Sequence, residues 1–315
     1  MSQTDHAMLH LGRALKQLGY RFTTITPLSH ARVNARPGNA KARDLAGVFG
    51  WSRPFARALL DESLLELMAA AQVLEEEGVG LWRSGVRWSS VGDTLYVHSA
   101  FPTLGEDAVF FGPDTYRFVH AIEHHLQAPG RSGPRRAVDI GCGAGPGALQ
   151  IAQRCPGCEV LALDINSPAL AFTQVNAALA GVDNLQARHS DLLAAVDGDF
   201  DLIVANPPYL LDAAQRTYRH GGGQYGEGLS VAILDAALPR LSSGGSLILY
   251  TGVAMQGRFD PFLEQVRQRL HGKPGLRWNY REIDPDVFGE ELDAPAYAAV
   301  ERIAVVVLDV MRVPA

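Results

Sequence analysis

The residues best suited to chemistry lie between positions 139 and 209. Asp139-Ile140-Gly141-Cys142-Gly143-Ala144-Gly145-Pro146-Gly147 closes a short apolar run. Glycines at 141, 143 and 145 let the backbone turn tightly and approach a ligand, and a helix beginning behind them offers unpaired N–H groups. The G-x-G-x-x-G spacing that cradles a pyrophosphate is not met, because the sixth position from Gly141 is Pro146. That proline disfavours a nicotinamide dinucleotide. Asp164 ends the next apolar run, where a carboxylate can accept both hydroxyls of a ribose. Ser190-Asp191-Leu192 follows the third run, and the Asp191 carboxylate suits either an adenine amino group or a helix N-cap. Together these positions suit an adenosine that bears no phosphates, held by loops and acids rather than by lysines.

A second cluster, Asn206-Pro207-Pro208-Tyr209, follows a fourth apolar run. Two prolines cannot donate to a sheet ladder, so a strand must stop there and continue as a stiff turn. The Asn206 side-chain oxygen and the Pro207 carbonyl can each accept one hydrogen from an NH₂ group, which aims the nitrogen lone pair. Tyr209 offers a flat face to a planar amide or base. Rigid placement of this kind lowers a transfer barrier through orientation.

Such residues work together only if the chain brings them together. After Arg135 short apolar runs alternate with amphipathic stretches, which predicts strands at 137–140, 159–164, 185–189, 201–205, 246–251, 276–280 and 302–309. Helices are expected at 147–154, 168–180, 229–241 and 259–270. Seven strands with this rhythm predict an α/β, doubly wound sheet, whose ligands bind beyond the carboxyl ends of the strands where strand order reverses. Residues 1–85 read as a mostly helical domain, with helical spacing at 8–18, 55–60 and 64–77. The period shifts to two over 86–89 and 94–98 around Gly92-Asp93, a β-hairpin signal, so 86–112 reads as a linker and 113–315 as the domain that carries the chemistry.

D-x-G-x-G-x-G followed by two strand-end acids resembles the class I methyltransferase fold, a Rossmann-like sheet that binds S-adenosylmethionine and releases S-adenosyl-L-homocysteine. The resemblance implies cofactor contacts at Asp139, Gly141, Cys142, Gly143 and Gly145, with Asp139 near the methionine ammonium. It also implies contacts at Asp164, Ile165, Asp191, Leu192 and Asn206, with Asp164 on the ribose and Asp191 on the adenine edge. Asn206-Pro207-Pro208-Tyr209 resembles the (N/D/S)-P-P-(Y/F) motif of amino-group methyltransferases, which assigns Asn206, Pro207 and Tyr209 to catalysis. The order of helical region, hairpin and catalytic domain is similar to the release-factor glutamine methyltransferase family, as are Pro113-Asp114-Thr115 and the glycine-rich stretch from Gly221 to Gly228. The chain departs from that family at Gly112, where it has Arg, at Tyr116, where it has Glu, and in the tail around Phe288-Gly289-Glu290-Glu291-Leu292. Phe110, Phe111, Tyr116, Pro208, Tyr218 and Tyr225 are the candidates for lining an acceptor pocket. The expected acceptor is a protein glutamine or an RNA base, with a small-molecule amine as the alternative; a non-catalytic module binding S-adenosylmethionine and RNA is the competing class.

Composition bounds these readings. A chain of 315 residues, 47% hydrophobic and 20% charged, can bury a substantial core. No run approaches the roughly 20 apolar residues of a membrane span, so no membrane partner is expected and the expected compartment is cytoplasmic. Three cysteines cannot build a disulfide framework, and Cys155-Pro156-Gly157-Cys158 reads as a turn, because a zinc site would need about two more ligands. His120, His124 and His125 read as one helix face, and no metal is expected. A net charge of −6 argues against global attraction to nucleic acid. The exception is local: Arg32, Arg36, Lys41, Arg43, Arg53 and Arg57 face a single acid, Asp44, across 27–57.

Overall fold

The computed structural model describes residues 1–129, 133–212, 216 and 218–314. Its helices are α1 (Gln3–Gln17), α2 (Pro27–Asn34), α3 (Leu45–Phe49), α4 (Glu62–Ala70), α5 (Pro113–Leu126), α6 (Pro146–Arg154), α7 (Ser167–Ala180), α8 (Gly228–Ala237) and α9 (Pro261–Leu270). Its first strands are β1 (Phe55–Ala56), β2 (Leu74–Glu76), β3 (Leu81–Ser84), β4 (Val86–Val91), β5 (Thr94–Ser99) and β6 (Arg136–Ile140). They are followed by β7 (Glu159–Asp164), β8 (Leu185–His189), β9 (Phe200–Ala205), β10 (Leu241–Met255), β11 (Leu276–Asp284) and β12 (Arg302–Arg312). Two compact units contain them: one of 1–116, 143–146 and 167–183, the other of the described residues in 117–142, 147–166 and 184 onward.

In the first unit, α1 begins at a capping box in which the Asp5 N–H donates to Ser2 Oγ at 3.1 Å and the Ser2 N–H to Asp5 Oδ2 at 2.6 Å. Leu11 and Leu15 of α1 pack with Leu65 and Met68 of α4, Trp88 of β4, and Val175 and Leu179 of α7. The hairpin stands as expected, β4 pairing antiparallel with β5 around Gly92 at φ +57°. Two expected helices are corrected. Residues 55–60 form β1, which pairs with β3 (Phe55↔Trp82), and then a 3-10 turn. The helix expected over 64–77 stops at Ala70 because Gln72 turns left-handed at φ +58°, after which β2 pairs with β3. Helix still prevails over residues 1–85, where α1 to α4 stand beside the short strands β1, β2 and β3.

The second unit is built on one seven-stranded sheet, ordered β11-β12-β10-β9-β6-β7-β8, with β12 antiparallel to both neighbours and the ladders from β10 to β8 parallel. This is the doubly wound α/β arrangement expected from the sequence. The central parallel strands are buried on both faces and so read as continuous apolar runs: Val138, Ile140, Leu161, Leu163, Ile203 and Ala205 share one core with Leu247 and Val306. The helix expected over 229–241 ends at Ala237, and Pro239 falls in the 3-10 turn that follows. Among the described residues no helix is long and apolar enough to cross a membrane.

Candidate active site

β6 and β9 pair in parallel, Ile140 opposite Ala205, so Gly141 and Asn206 leave adjacent strand ends where strand order reverses. The bend after β6 is held by Leu163 of β7, whose carbonyl accepts the Gly141 N–H at 2.8 Å and the Cys142 N–H at 2.9 Å. Gly141 sits at φ +70°, a conformation that costs a side-chain-bearing residue.

Asp139, only 1% exposed, points its Oδ2 at the Ala148 N–H, 2.9 Å away in the first turn of α6. Gly147 permits that approach, since a Cβ there would lie 2.7 Å from Asp139 Oδ2 and 2.6 Å from the Phe118 ring. Asp139 Oδ1 is buried with no hydrogen-bond partner among the described residues. Burial pushes the carboxyl up to about 8, with the Asp164 charge adding to the effect and the Ala148 N–H opposing it. A buried acceptor this costly calls for a donor, and a cationic one would return the group to its ionised form.

Asp164 closes β7 half-buried, its Oδ1 accepting the Asn166 N–H at 2.9 Å, an Asx turn that fixes the carboxylate at the strand end. Ile165 beside it is 50% exposed, an apolar face at the carboxyl end of β7. Ser190 Oγ accepts the Ala195 N–H at 3.1 Å and serves the turn after β8, while the Asp191 carboxylate stays exposed. Leu192 is left-handed at φ +48° and packs against the core of the unit.

The rest of the glycine bend belongs to the first unit, with Gly143 at φ +56° and Gly145 at φ +82°. Two α7 side chains hold it. Thr173 Oγ1 donates to the Gly143 carbonyl at 2.9 Å. Asn176 Nδ2 donates to the Ala144 carbonyl at 2.8 Å and the Val97 carbonyl at 3.1 Å, while its Oδ1 accepts the Val97 N–H at 2.8 Å. Neither residue is evident as a site residue from sequence; their signal is a pair of polar residues three apart on a largely apolar helix, both fully buried. Of the expected pocket aromatics in this unit, Phe111 is 2% exposed and stacked on His98 at 4.7 Å, so its ring is packing rather than an open wall. The Tyr116 hydroxyl accepts the Thr24 N–H at 2.9 Å, and Phe110 is half-buried.

On the acceptor side, Asn206 and Pro208 are half-buried and Pro207 is buried. The Tyr209 ring, 7% exposed, lies directly on the Gly252 backbone of β10 and faces Phe288 at 6.1 Å between centroids. The glycine-rich stretch folds back on this turn. The Gly221 N–H donates to the Leu210 carbonyl at 2.8 Å, and any Cβ at Gly221 or Gly226 would run into the Pro208–Tyr209 backbone. Asp212, buried, accepts from Arg216 Nε at 2.9 Å, and the Arg216 hydrogen bonds pull its carboxyl down to about 2. Tyr218 is half-buried under the Arg216 guanidinium, its hydroxyl 3.2 Å from Arg216 Nη1. Tyr225, also half-buried, accepts from Gln224 Nε2 at 2.9 Å.

Residues 120–266 match the family model of the methyltransferase small domain. Curated relatives include a release factor glutamine methyltransferase of Deinococcus radiodurans, 34% identical over 57% of this chain and 63% of that protein. Another, of the same name, is from Escherichia coli, 32% identical over 38% of this chain and 47% of that protein. The chain thus spans less than two thirds of the length of either relative. Among solved structures, the M. jannaschii tRNA m1G37 methyltransferase is 15% identical with a TM-score of 0.48, covering 83% of this chain and 71% of that one.

Proposed function

We propose that this chain, whose residues 120–266 match the methyltransferase small domain, transfers a methyl group from S-adenosylmethionine to a planar amide or amino nitrogen at Asn206-Pro207-Pro208-Tyr209. The observation that carries the reading is the pairing of Ile140 with Ala205, which sets the glycine bend and the Asn206 turn on neighbouring strand ends. The cofactor's chemistry fits the residues present. Asp139 Oδ1 is a buried acceptor without a partner among the described residues, suited to the methionine ammonium. Asp164 is fixed at the end of β7 to accept ribose hydroxyls, and the exposed Ile165 supplies an apolar surface for a base. The cofactor, when bound, supplies a methyl group on a cationic sulfur.

The chain's own residues then bind and orient. Asn206 and the Pro207 carbonyl accept the two hydrogens of the acceptor NH₂, and the double proline keeps both acceptors rigid. Tyr209 holds the turn by packing on Gly252. A protein glutamine is the acceptor that the names of the curated relatives support. A nucleobase in RNA is the second reading. It is favoured by Arg32, Arg36, Lys41 and Arg43, all exposed and, among the described residues, in no ion pair.

Incubation with radiolabelled S-adenosylmethionine and fractionated lysate separates the two readings, label entering protein under the first and RNA under the second. Asn206→Ala is expected to lower transfer by about 100-fold or more while cofactor affinity, measured by calorimetry, stays within about twofold. Equal turnover in that variant refutes the role given to Asn206.

A further inference from the structure

The connection between β11 and β12 is longer than a turn requires, and its contacts are specific. It leaves β11 beside an Arg117–Asp284 ion pair of 2.7 Å and is tied down by the Val287 N–H on the Ile303 carbonyl at 2.8 Å. Two 3-10 turns follow, at Gly289–Asp293 and Pro295–Tyr297. Both reach the chain just beyond the double proline: Glu291 pairs with Arg219, which also faces Asp212 at 3.5 Å, and the buried Tyr297 hydroxyl accepts the Leu211 N–H at 2.7 Å. The connection is thereby fastened at two points to the loop that carries Tyr209.

Phe288 stands just before these fastenings. It is left-handed at φ +52°, a conformation that an aromatic residue adopts only where its surroundings hold it, and one that clusters at functional positions. The backbone cost brings its ring within 6.1 Å of the Tyr209 ring, inclined at 62°, and the residue is half-buried. Two aromatic rings inclined in this way form a corner, and a planar group can pack on one ring with its edge toward the other.

We propose that the 285–301 connection is the acceptor-side wall of the site and that Phe288 determines acceptor specificity, packing with Tyr209 against a planar amide or base. The assignment rests on the role proposed above for the Asn206–Tyr209 turn. Phe288 binds the acceptor and takes no part in holding the cofactor.

The test uses the full chain, S-adenosylmethionine, and two acceptor probes, a short glutamine-containing peptide and bulk RNA. Phe288→Gly removes the ring while relieving the left-handed backbone, Phe288→Ala removes the ring alone, and Phe288→Tyr restores it. Both ring-less variants are expected to raise the KM for the methylated probe about tenfold, with the cofactor dissociation constant within about twofold of the parent and Phe288→Tyr close to it. Phe288→Gly methylating with the parent's acceptor KM overturns the assignment, because strain would then be all that the position holds. A parallel loss of cofactor affinity also overturns it, by showing a general structural role. A parent protein that binds the cofactor yet methylates neither probe takes down the proposed activity, and this assignment with it.

Discussion

Asp139 gives its Oδ2 to the Ala148 N–H at 2.9 Å and leaves Oδ1 buried without a partner among the described residues. One carboxylate thus joins β6 to the first turn of α6 and stands as the unsatisfied acceptor at the base of the proposed cofactor site. Its burial holds the proton on, and a cationic ligand would displace it.

That displacement is measurable as a pH dependence. The folded value, about 8, lies above the ordinary 3.8, so the neutral carboxyl's contribution to stability is complete below 3.8 and is lost as pH rises through about 8. Binding of the ammonium requires the ionised form. S-adenosylmethionine affinity should therefore rise with pH from 6 and level off near 8, by up to about tenfold per unit. Calorimetry at pH 7 in two buffers of different ionisation heat should show close to one proton released. Asp139→Asn should flatten the profile, and a flat profile in the parent would remove Asp139 from the ammonium site.

Asp164 combines a structural and a binding task that two substitutions separate. Asn at this position can still accept the Asn166 N–H and keep the turn, whereas Ala cannot. Both should weaken S-adenosylmethionine binding, by about 10-fold or more, because neither presents a carboxylate to the ribose. Only Asp164→Ala should also lower the melting temperature. Unchanged dissociation constants by calorimetry would exclude the ribose assignment.

Much of this arrangement was legible in the sequence for a physical reason. Strands such as β6, β7 and β9 are buried on both faces, so Val138, Leu161 and Ile203 appear in unbroken apolar runs, and Gly141 and Pro207 mark where β6 and β9 must end. The segments that misled were short. Six residues from Phe55 to Leu60 cannot distinguish a period of two from one of 3.6, and the left-handed Gln72 gives no local warning. Asn176 was hidden differently: a polar residue in a helix is mute until the carbonyls it faces are known. The contact of Phe288 with Tyr209 joins segments far apart in the chain, and no local pattern encodes it.

Asn176 should matter to folding as much as to binding. Its amide satisfies the Val97 N–H, the Val97 carbonyl and the Ala144 carbonyl, all in buried surroundings. Asn176→Leu leaves those backbone groups without this partner, a loss of about 2–4 kcal/mol. The urea midpoint should fall with little change in slope. A midpoint within error of the parent would mean that water or a shifted backbone replaces the amide.

Gly252 tests the acceptor side through the Tyr209 ring that packs on it. The Tyr209 ring lies on its backbone, and a single methyl there would occupy the space of the ring's edge. Both β10 neighbours of Gly252, Thr251 and Val253, are nearly fully buried, and Tyr209 itself is 7% exposed, so the ring must move rather than the strand. Overpacking of this kind costs about 1–3 kcal/mol, and the displaced ring carries the Asn206 turn with it. Gly252→Ala should therefore lower kcat by about tenfold or more, while S-adenosylmethionine affinity stays within about twofold, since Asp139 and Asp164 lie on other strands. A Tyr209→Ala change placed on the same background should restore stability by emptying the clash, and it should not restore turnover. Full activity in Gly252→Ala would show that the turn tolerates the shift, and that Tyr209 neither holds Asn206 in place nor contributes to transfer.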